Sequence, residues 1–150
     1  MNLETLSLRT GLAVLDHLER QVAIPVLDGL QAQGDLLIAP MPMVAVAVTF
    51  PPWAGWADVF GAGLEVLRGA AGGNPHTLVA DDGVCAWTWH VRDTMDLALG
   101  AFRCTAPVYL LHPEHGATGF TPGTWVVRRQ REFDHRGWRR GGGGTRLVAD

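Results

Sequence analysis

Val108-Tyr109-Leu110-Leu111-His112-Pro113-Glu114-His115-Gly116 carries an apolar strand pattern into a short polar connection. Beyond Thr121-Pro122-Gly123 the apolar pattern resumes as Thr124-Trp125-Val126-Val127. Strand-like runs bounded by such turn residues point to an antiparallel, hairpin-built chain. The connection itself admits two readings. In one, His112 hydrogen-bonds backbone groups of a proline-containing turn, and Gly116 supplies the positive φ that closes the hairpin. In the other, His112, Glu114 and His115 are half of a metal site.

Outward from this stretch the same signals recur. Cys85, Trp87, Trp89 and Val91 alternate with Ala86, Thr88, His90 and Arg92, a half-buried strand pattern over residues 85–92. Asp81-Asp82-Gly83 is a hairpin-type turn into it. Gly72-Gly73-Asn74-Pro75 is a strong turn signal ahead of a strand over residues 76–80. Further strands are expected over residues 36–39, 44–50, 97–105, 108–111, 124–133 and 145–148. Residues 57–67 read either as a short amphipathic helix or as a strand confined to 64–68. Nineteen glycines and nine prolines without a period fit many turns between short strands.

At the amino end Leu8, Leu12, Leu15 and Leu18 follow helical spacing, and Pro25 should end that helix. The fold expected from these elements is α+β: a mostly antiparallel β barrel or roll with an N-terminal amphipathic helix. Residues 1–32 form a helical extension packed on the body, residues 33–150 form the β-rich domain, and residues 141–144 make a flexible loop.

Composition excludes several classes. A chain of 150 residues with 47% apolar and 18% charged residues is an ordinary globular domain. Cys85 and Cys104 are too few for a disulfide framework; they read as buried thiols of a reducing cytosol, their proximity left open. The acidic start Asn2-Leu3-Glu4 lacks a signal-peptide pattern, and no apolar run is long enough to span a membrane, so a soluble cytoplasmic protein is expected. All twelve basic residues are arginine, which fits a high-GC bacterial genome. No phosphate loop, dinucleotide fingerprint, paired-cysteine zinc spacing or glycine-flanked serine is present. No catalytic residue is singled out, which leaves the question of enzyme activity open.

The chemistry that remains is imidazole and guanidinium. His112 and His115, three apart, can reach one ion if the turn curls. His76, at the head of its strand, is the natural third ligand, with Glu114 redirected by the turn. A transition metal such as zinc would suit these donors. Residues 128–150 carry +4 and residues 1–127 carry −7. That asymmetry could draw phosphate or an acidic protein surface, and Trp138 could stack on a base. The pI near 6.0 argues against a dedicated nucleic-acid binder through residues 128–140. The expected partner is another protein or a second copy of the chain. Along residues 124–133, Gln130 and Glu132 either approach the histidine turn as outer partners or lie solvated on an edge strand, and the strand leaves the core at Arg128. Exposed Trp53, Trp56 and Trp138 would mark a contact surface.

Several short motifs occur in a fixed order: Gln33-Gly34-Asp35-Leu36-Leu37-Ile38, a glycine-rich turn with His76, His112-Pro113-Glu114-His115-Gly116, Gln130-Arg131-Glu132-Phe133 and Val148-Ala149-Asp150. This order resembles a family of small, uncharacterised bacterial and phage-borne proteins. Their pattern runs Gln-Gly-Asp, Gly-His-x-His, His-x-Glu-His-Gly and Gln-Arg-Glu-aromatic. The resemblance covers residues 33–150 and implies a compact β-rich domain without an assigned activity. It carries over onto His76, His112, Glu114, His115, Gln130, Arg131 and Glu132. Asn74 stands where the pattern has its first histidine. Asparagine is a poor transition-metal ligand, and a polar turn network tolerates it more easily. Two classes therefore follow. One is a non-enzymatic accessory or protein-interaction module of a larger assembly. The other is a transition-metal protein, binding or hydrolytic, that uses His76, His112 and His115 with Glu114.

Overall fold

The computed structural model describes residues 1–16, 18–68, 73–134 and 144–147, with residues 131–134 and 144–147 described through their backbone. In chain order the elements are α1 (Leu3–Thr10), β1 (Val26–Leu27), β2 (Gln31–Gln33), β3 (Leu36–Pro40), α2 (Met41–Val44), β4 (Val48–Thr49), β5 (Ala57–Val59) and β6 (Leu64–Arg68). Then follow β7 (Pro75–Val79), β8 (Cys85–Thr88), β9 (Arg92–Asp93), β10 (Ala98–Cys104), β11 (Val108–His112), β12 (Gly116–Phe120), β13 (Gly123–Arg129), β14 (Arg131–Asp134) and β15 (Gly144–Leu147).

Six strands form one antiparallel sheet in the order β2-β3-β13-β10-β8-β5. Five form a second in the order β1-β12-β11-β7-β6, antiparallel except for the parallel β1–β12 pair. Ribbons β4–β9 and β14–β15 and an isolated antiparallel bridge between Asn2 and Ala23 complete the pairing among the described residues. The mostly antiparallel β character matches the expectation, but the barrel does not: neither sheet closes. The edge strands β1, β2 and β5 are two or three residues long, too short to carry a closing ladder. The two open sheets instead share one core. Leu36, Ile38, Trp87, Phe102 and Val127 come from the larger sheet, and Val66, Leu78, Leu110 and Phe120 from the smaller.

Both outer faces carry a second layer. Ala101 and Val126, on the outer side of the six-stranded sheet, pack with Val48 beneath Met41, Val44, Phe50 and Trp56. This explains why Trp125-Val126-Val127 is apolar without alternation: both faces of β13 are covered. On the five-stranded sheet, Val79 and Leu111 are covered by Leu3, Leu6 and Val14.

The N-terminal helix is shorter than its leucine stripe suggests. Asn2 caps it by accepting the Thr5 N–H at 2.9 Å, and Gly11, at φ +71°, ends it. Pro25 has no part in the stop. Leu3 and Leu6 are the buried positions, whereas Leu8 is 80% exposed. Residues 44–50 also differ from expectation. The prolines at 40 and 42 suit the first turn of a helix, so the chain makes α2 before the short β4. Residues 57–67 contain strands β5 and β6 and no helix. The alternation over 85–92 breaks at Thr88, whose hydroxyl accepts the His90 N–H at 3.0 Å and turns the chain, leaving Trp89 exposed. The expected strand over 124–133 is divided at Gln130, whose N–H donates to the Asp35 carbonyl at 3.0 Å in continuation of the β13–β3 register, before the chain passes to β14. Arg136, Trp138, Arg139 and Arg140, the glycines at 141–143, and residues 148–150 lie outside the described residues, as does Gly72. Among the described residues no helix is long and apolar enough to cross a membrane.

Candidate functional site

The β11–β12 hairpin is closed by His112 opposite Gly116, which sits at φ +81°. The His112 side chain organises the turn. Its Nδ1 accepts the N–H groups of Glu114 at 3.1 Å and His115 at 3.3 Å. An accepting Nδ1 is unprotonated, so the ring proton of the neutral imidazole lies on Nε2. The His115 ring stacks on that of His112 with centroids 4.4 Å apart. Candidate ligand atoms of His112, Glu114 and His115 all lie within 4.8 Å of one another, His112 buried and the other two exposed. From the residue ahead of β7, Asn74 donates its side-chain N–H to Glu114 Oε1 at 3.0 Å.

Strand β7 runs beside β11, and this pairing brings His76 under the turn: its ring centroid is 4.4 Å from that of His112. His76 is fully buried. Its Nδ1 lies 2.9 Å from Gln33 Oε1 and its Nε2 lies 3.1 Å from Asp35 Oδ1. The Gln33 amide is oriented by its Nε2, which donates to the Leu110 carbonyl at 2.8 Å, so Oε1 must face the ring and Nδ1 must donate. The contact between Nε2 and Asp35 is withdrawn from water on both sides, since both side chains are almost fully buried.

Strand β2 supplies this polarity because two of its inward positions are glutamines. Gln31 donates to the Gly119 carbonyl at 2.9 Å as Gln33 does to that of Leu110, so both side chains of one sheet bond the backbone of the other. The β2–β3 turn that carries Asp35 is held from behind. Gln130 donates its Nε2 to the carbonyls of Gly34 at 3.2 Å and Leu36 at 3.0 Å.

The chain thus brings together Asn74, His76, His112, Glu114 and His115. Gln130 stands one step away, acting on the turn that holds Asp35 rather than on the histidine turn. Arg131 and Glu132 lie on β14, paired with Leu147 and Arg146, and their side chains lie outside the described residues. Gln33 and Asp35 are the members that sequence reasoning did not place in the site. Their signal was available: polar residues at alternate positions beside an otherwise apolar strand are either an exposed face or a buried network, and only the partner sheet decides which.

A buried ion pair lies elsewhere. Arg128 binds Asp93 bidentately, Nε to Oδ2 at 2.9 Å and Nη2 to Oδ1 at 3.0 Å, with both side chains largely buried. The Asp93 carboxylate also accepts the N–H groups of Met95, Leu97 and Ala98. Burial works to raise its pKa, but the Arg128 hydrogen bond and charge, with the Met95 and Leu97 amides, outweigh it and hold the carboxyl below its ordinary value. Arg128 therefore serves the fold. Among the tryptophans, Trp53 is 66% exposed, whereas Trp56 is partly buried against Phe50 and beneath the Arg103 guanidinium, 4.3 Å from its ring.

No curated protein and no solved structure matches the chain. A family model described as a domain of unknown function, DUF8820, matches residues 32–130, from the start of the Gln33–Asp35 turn to Gln130, and the chain belongs to that family.

Proposed function

We propose that the protein is a non-enzymatic interaction module of a larger assembly, in which the histidine network is scaffold and the β4–β9 side of the six-stranded sheet is the contact surface. The observation that carries this reading is a concentration of exposed apolar side chains there. Met43, Val46, Trp53, Trp89 and Met95 are all largely exposed, and Val46 is fully so. They belong to the two segments that the β4–β9 pairing joins, and the Trp53 ring lies 4.8 Å from that of His90. Large apolar groups exposed on two adjoining segments are costly to leave in water and are a common mark of a protein contact. The scaffold role rests on the engagement of both His76 ring nitrogens and His112 Nδ1 by the protein's own groups.

The test is the native size of the protein in extracts of its source, at its natural level. The wild type should run well above monomer mass, and a Val46→Asp/Trp53→Ser variant that keeps its circular dichroism should run as a monomer. A wild type that is itself monomeric there ends the reading. The ordered motifs and all-arginine basic residues fit a bacterial or phage-borne, cytoplasmic setting.

One observation favours a second reading, a transition-metal site. The donors of His112, Glu114 and His115 lie within 4.8 Å of one another at a hairpin tip, two of them exposed. A zinc-type ion would need them drawn closer, since ligands lie roughly 2.0–2.2 Å from it. His76 could join only by releasing Gln33 or Asp35. Untagged protein dialysed against zinc should then retain one equivalent, and a folded Glu114→Ala/His115→Ala variant should retain none. Equal retention by both proteins would remove this reading.

A further inference from the structure

Cys85 on β8 and Cys104 on β10 are directly opposed across the six-stranded sheet, and both are free thiols. Opposed residues of an antiparallel pair project to the same face, and both side chains belong to the same core cluster. The Thr105 N–H donates to the Val84 carbonyl at 3.0 Å. That bond makes the neighbouring Cys85–Cys104 pair one of the non-hydrogen-bonded kind, whose Cα atoms approach to roughly 4.5 Å. Disulfides span Cα separations of roughly 4.4–6.8 Å, so the ladder already holds the two cysteines within bonding range. The pair lies beside a surface opening, although the two residues are only 4% and 6% exposed. Cys85 and Cys104 line a surface cavity of about 310 Å³ together with Asp58, Arg103 and Thr124.

We propose that Cys85 and Cys104 form a reversible cross-strand disulfide, made by exchange with a small-molecule disulfide that enters this cavity. The thiolate of one cysteine attacks the small disulfide, forming a mixed disulfide and releasing one small thiol. The second thiolate then attacks the protein sulfur, forms the Cys85–Cys104 bond and releases the other. The two protein thiols give up two protons and two electrons, and the small disulfide is reduced to two thiols. Burial pushes the Cys85 thiol up to about 12, with the Cys104 charge adding to the effect, and burial raises Cys104 as well. Exchange is therefore slow, as suits a site that responds to sustained oxidation rather than a catalytic dithiol. The bond would staple the base of residues 86–103. That loop carries β9, Trp89 and Met95, so oxidation restrains one of the two segments of the apolar β4–β9 side.

The experiment incubates the full folded chain with excess oxidised glutathione, quenches with acid, and reads intact mass and linked peptides. Both thiols should disappear together, with a mass loss of two hydrogens, a Cys85–Cys104 linked peptide, and an upward shift in Tm that dithiothreitol reverses. Cys85→Ser and Cys104→Ser variants should each stop with one glutathione attached. As a readout independent of those variants, phenylarsine oxide, which bridges neighbouring thiols, should protect both cysteines of the wild type from alkylation. Stable glutathione adducts on the wild type would overturn the proposal. So would alkylation of either cysteine in the presence of the arsenical, or two thiols that react only after denaturant is added.

Discussion

The protein buries two polar centres, and they are built differently. Asp93 and Arg128 sit on a single side of the six-stranded sheet, where a bidentate pair and three backbone amides lock residues 93–98 onto β13. The His76 centre lies between the sheets: Gln33 and Asp35 come from or beside β2, His76 and His112 from β7 and β11. The first is a clamp on one layer, made with a cation that never loses its charge. The second joins two layers, and each of its polar groups depends on the neighbour for its hydrogen-bonding partner. A defect in the clamp should loosen a ribbon, whereas a defect between the sheets should weaken the whole fold.

That difference is most exposed to failure at His76. His76→Ala takes a buried hydrogen-bonding partner from both Gln33 and Asp35, at about 1–3 kcal/mol for each group so deprived. Urea unfolding should show the midpoint falling with an unchanged slope. A loss under about 1 kcal/mol would mean that water reaches the centre and that the layers are joined by apolar packing alone.

Next comes Asp93→Ala, expected to cost about 3 kcal/mol by leaving Arg128 unpaired. Its signature is local: exchange protection should fall in residues 93–98 and β4 before it falls elsewhere. The clamp also has a pH signature. The Asp93 carboxyl is held below its ordinary value, so its contribution is present above the unfolded carboxyl pKa of roughly 3.9 and is lost as pH falls through the lower folded value. The stability gap between wild type and Asp93→Asn should therefore be full at neutral pH and shrink only below about pH 4. A gap that begins to close near neutrality would place the titrating group elsewhere.

A smaller effect is expected one step behind the histidine centre. Gln130→Ala removes two donors from the carbonyls of Gly34 and Leu36 and should cost about 1–2 kcal/mol. Because those bonds hold the turn that carries Asp35, pairing Gln130→Ala with His76→Ala should cost less than the sum of the two alone. Strict additivity would show that the turn keeps its shape without Gln130.

Sequence reading fared unevenly, for reasons these centres make plain. The strands β7, β10, β11 and β13 announce themselves as apolar runs bounded by glycine and proline. The local chemistry of the His112 turn is also legible, because Pro113 and Gly116 constrain the backbone of so short a connection by themselves. Residues 44–50 misled because β-branched composition there serves a covering layer rather than a ladder: Val44 packs inward from α2, Val48 from β4, and Val46 faces water. Arg128 looked like the point where a strand escapes the core. Its acceptor, Asp93, lies on a different ribbon, and no pattern along the chain pairs them. Gln33 and Asp35 read from the sequence as polar residues without a role, since their meaning depends on a sheet that sequence periodicity cannot dock.

The smallest predicted effect separates scaffold from site at the hairpin tip. Asn74 donates to Glu114 Oε1 where Glu114 is exposed, so water can replace the bond and Asn74→Ala should shift stability by less than about 0.5 kcal/mol. If the tip is only the outer end of the scaffold, zinc titrated into wild type and variant should give the same weak response. If His112, Glu114 and His115 hold an ion, freeing the Glu114 carboxylate from its amide should change zinc affinity while the unfolding curve stays in place. A stability loss above about 1 kcal/mol would instead make Asn74 part of the buried network, and the line between the two ends of the cluster would have to be redrawn.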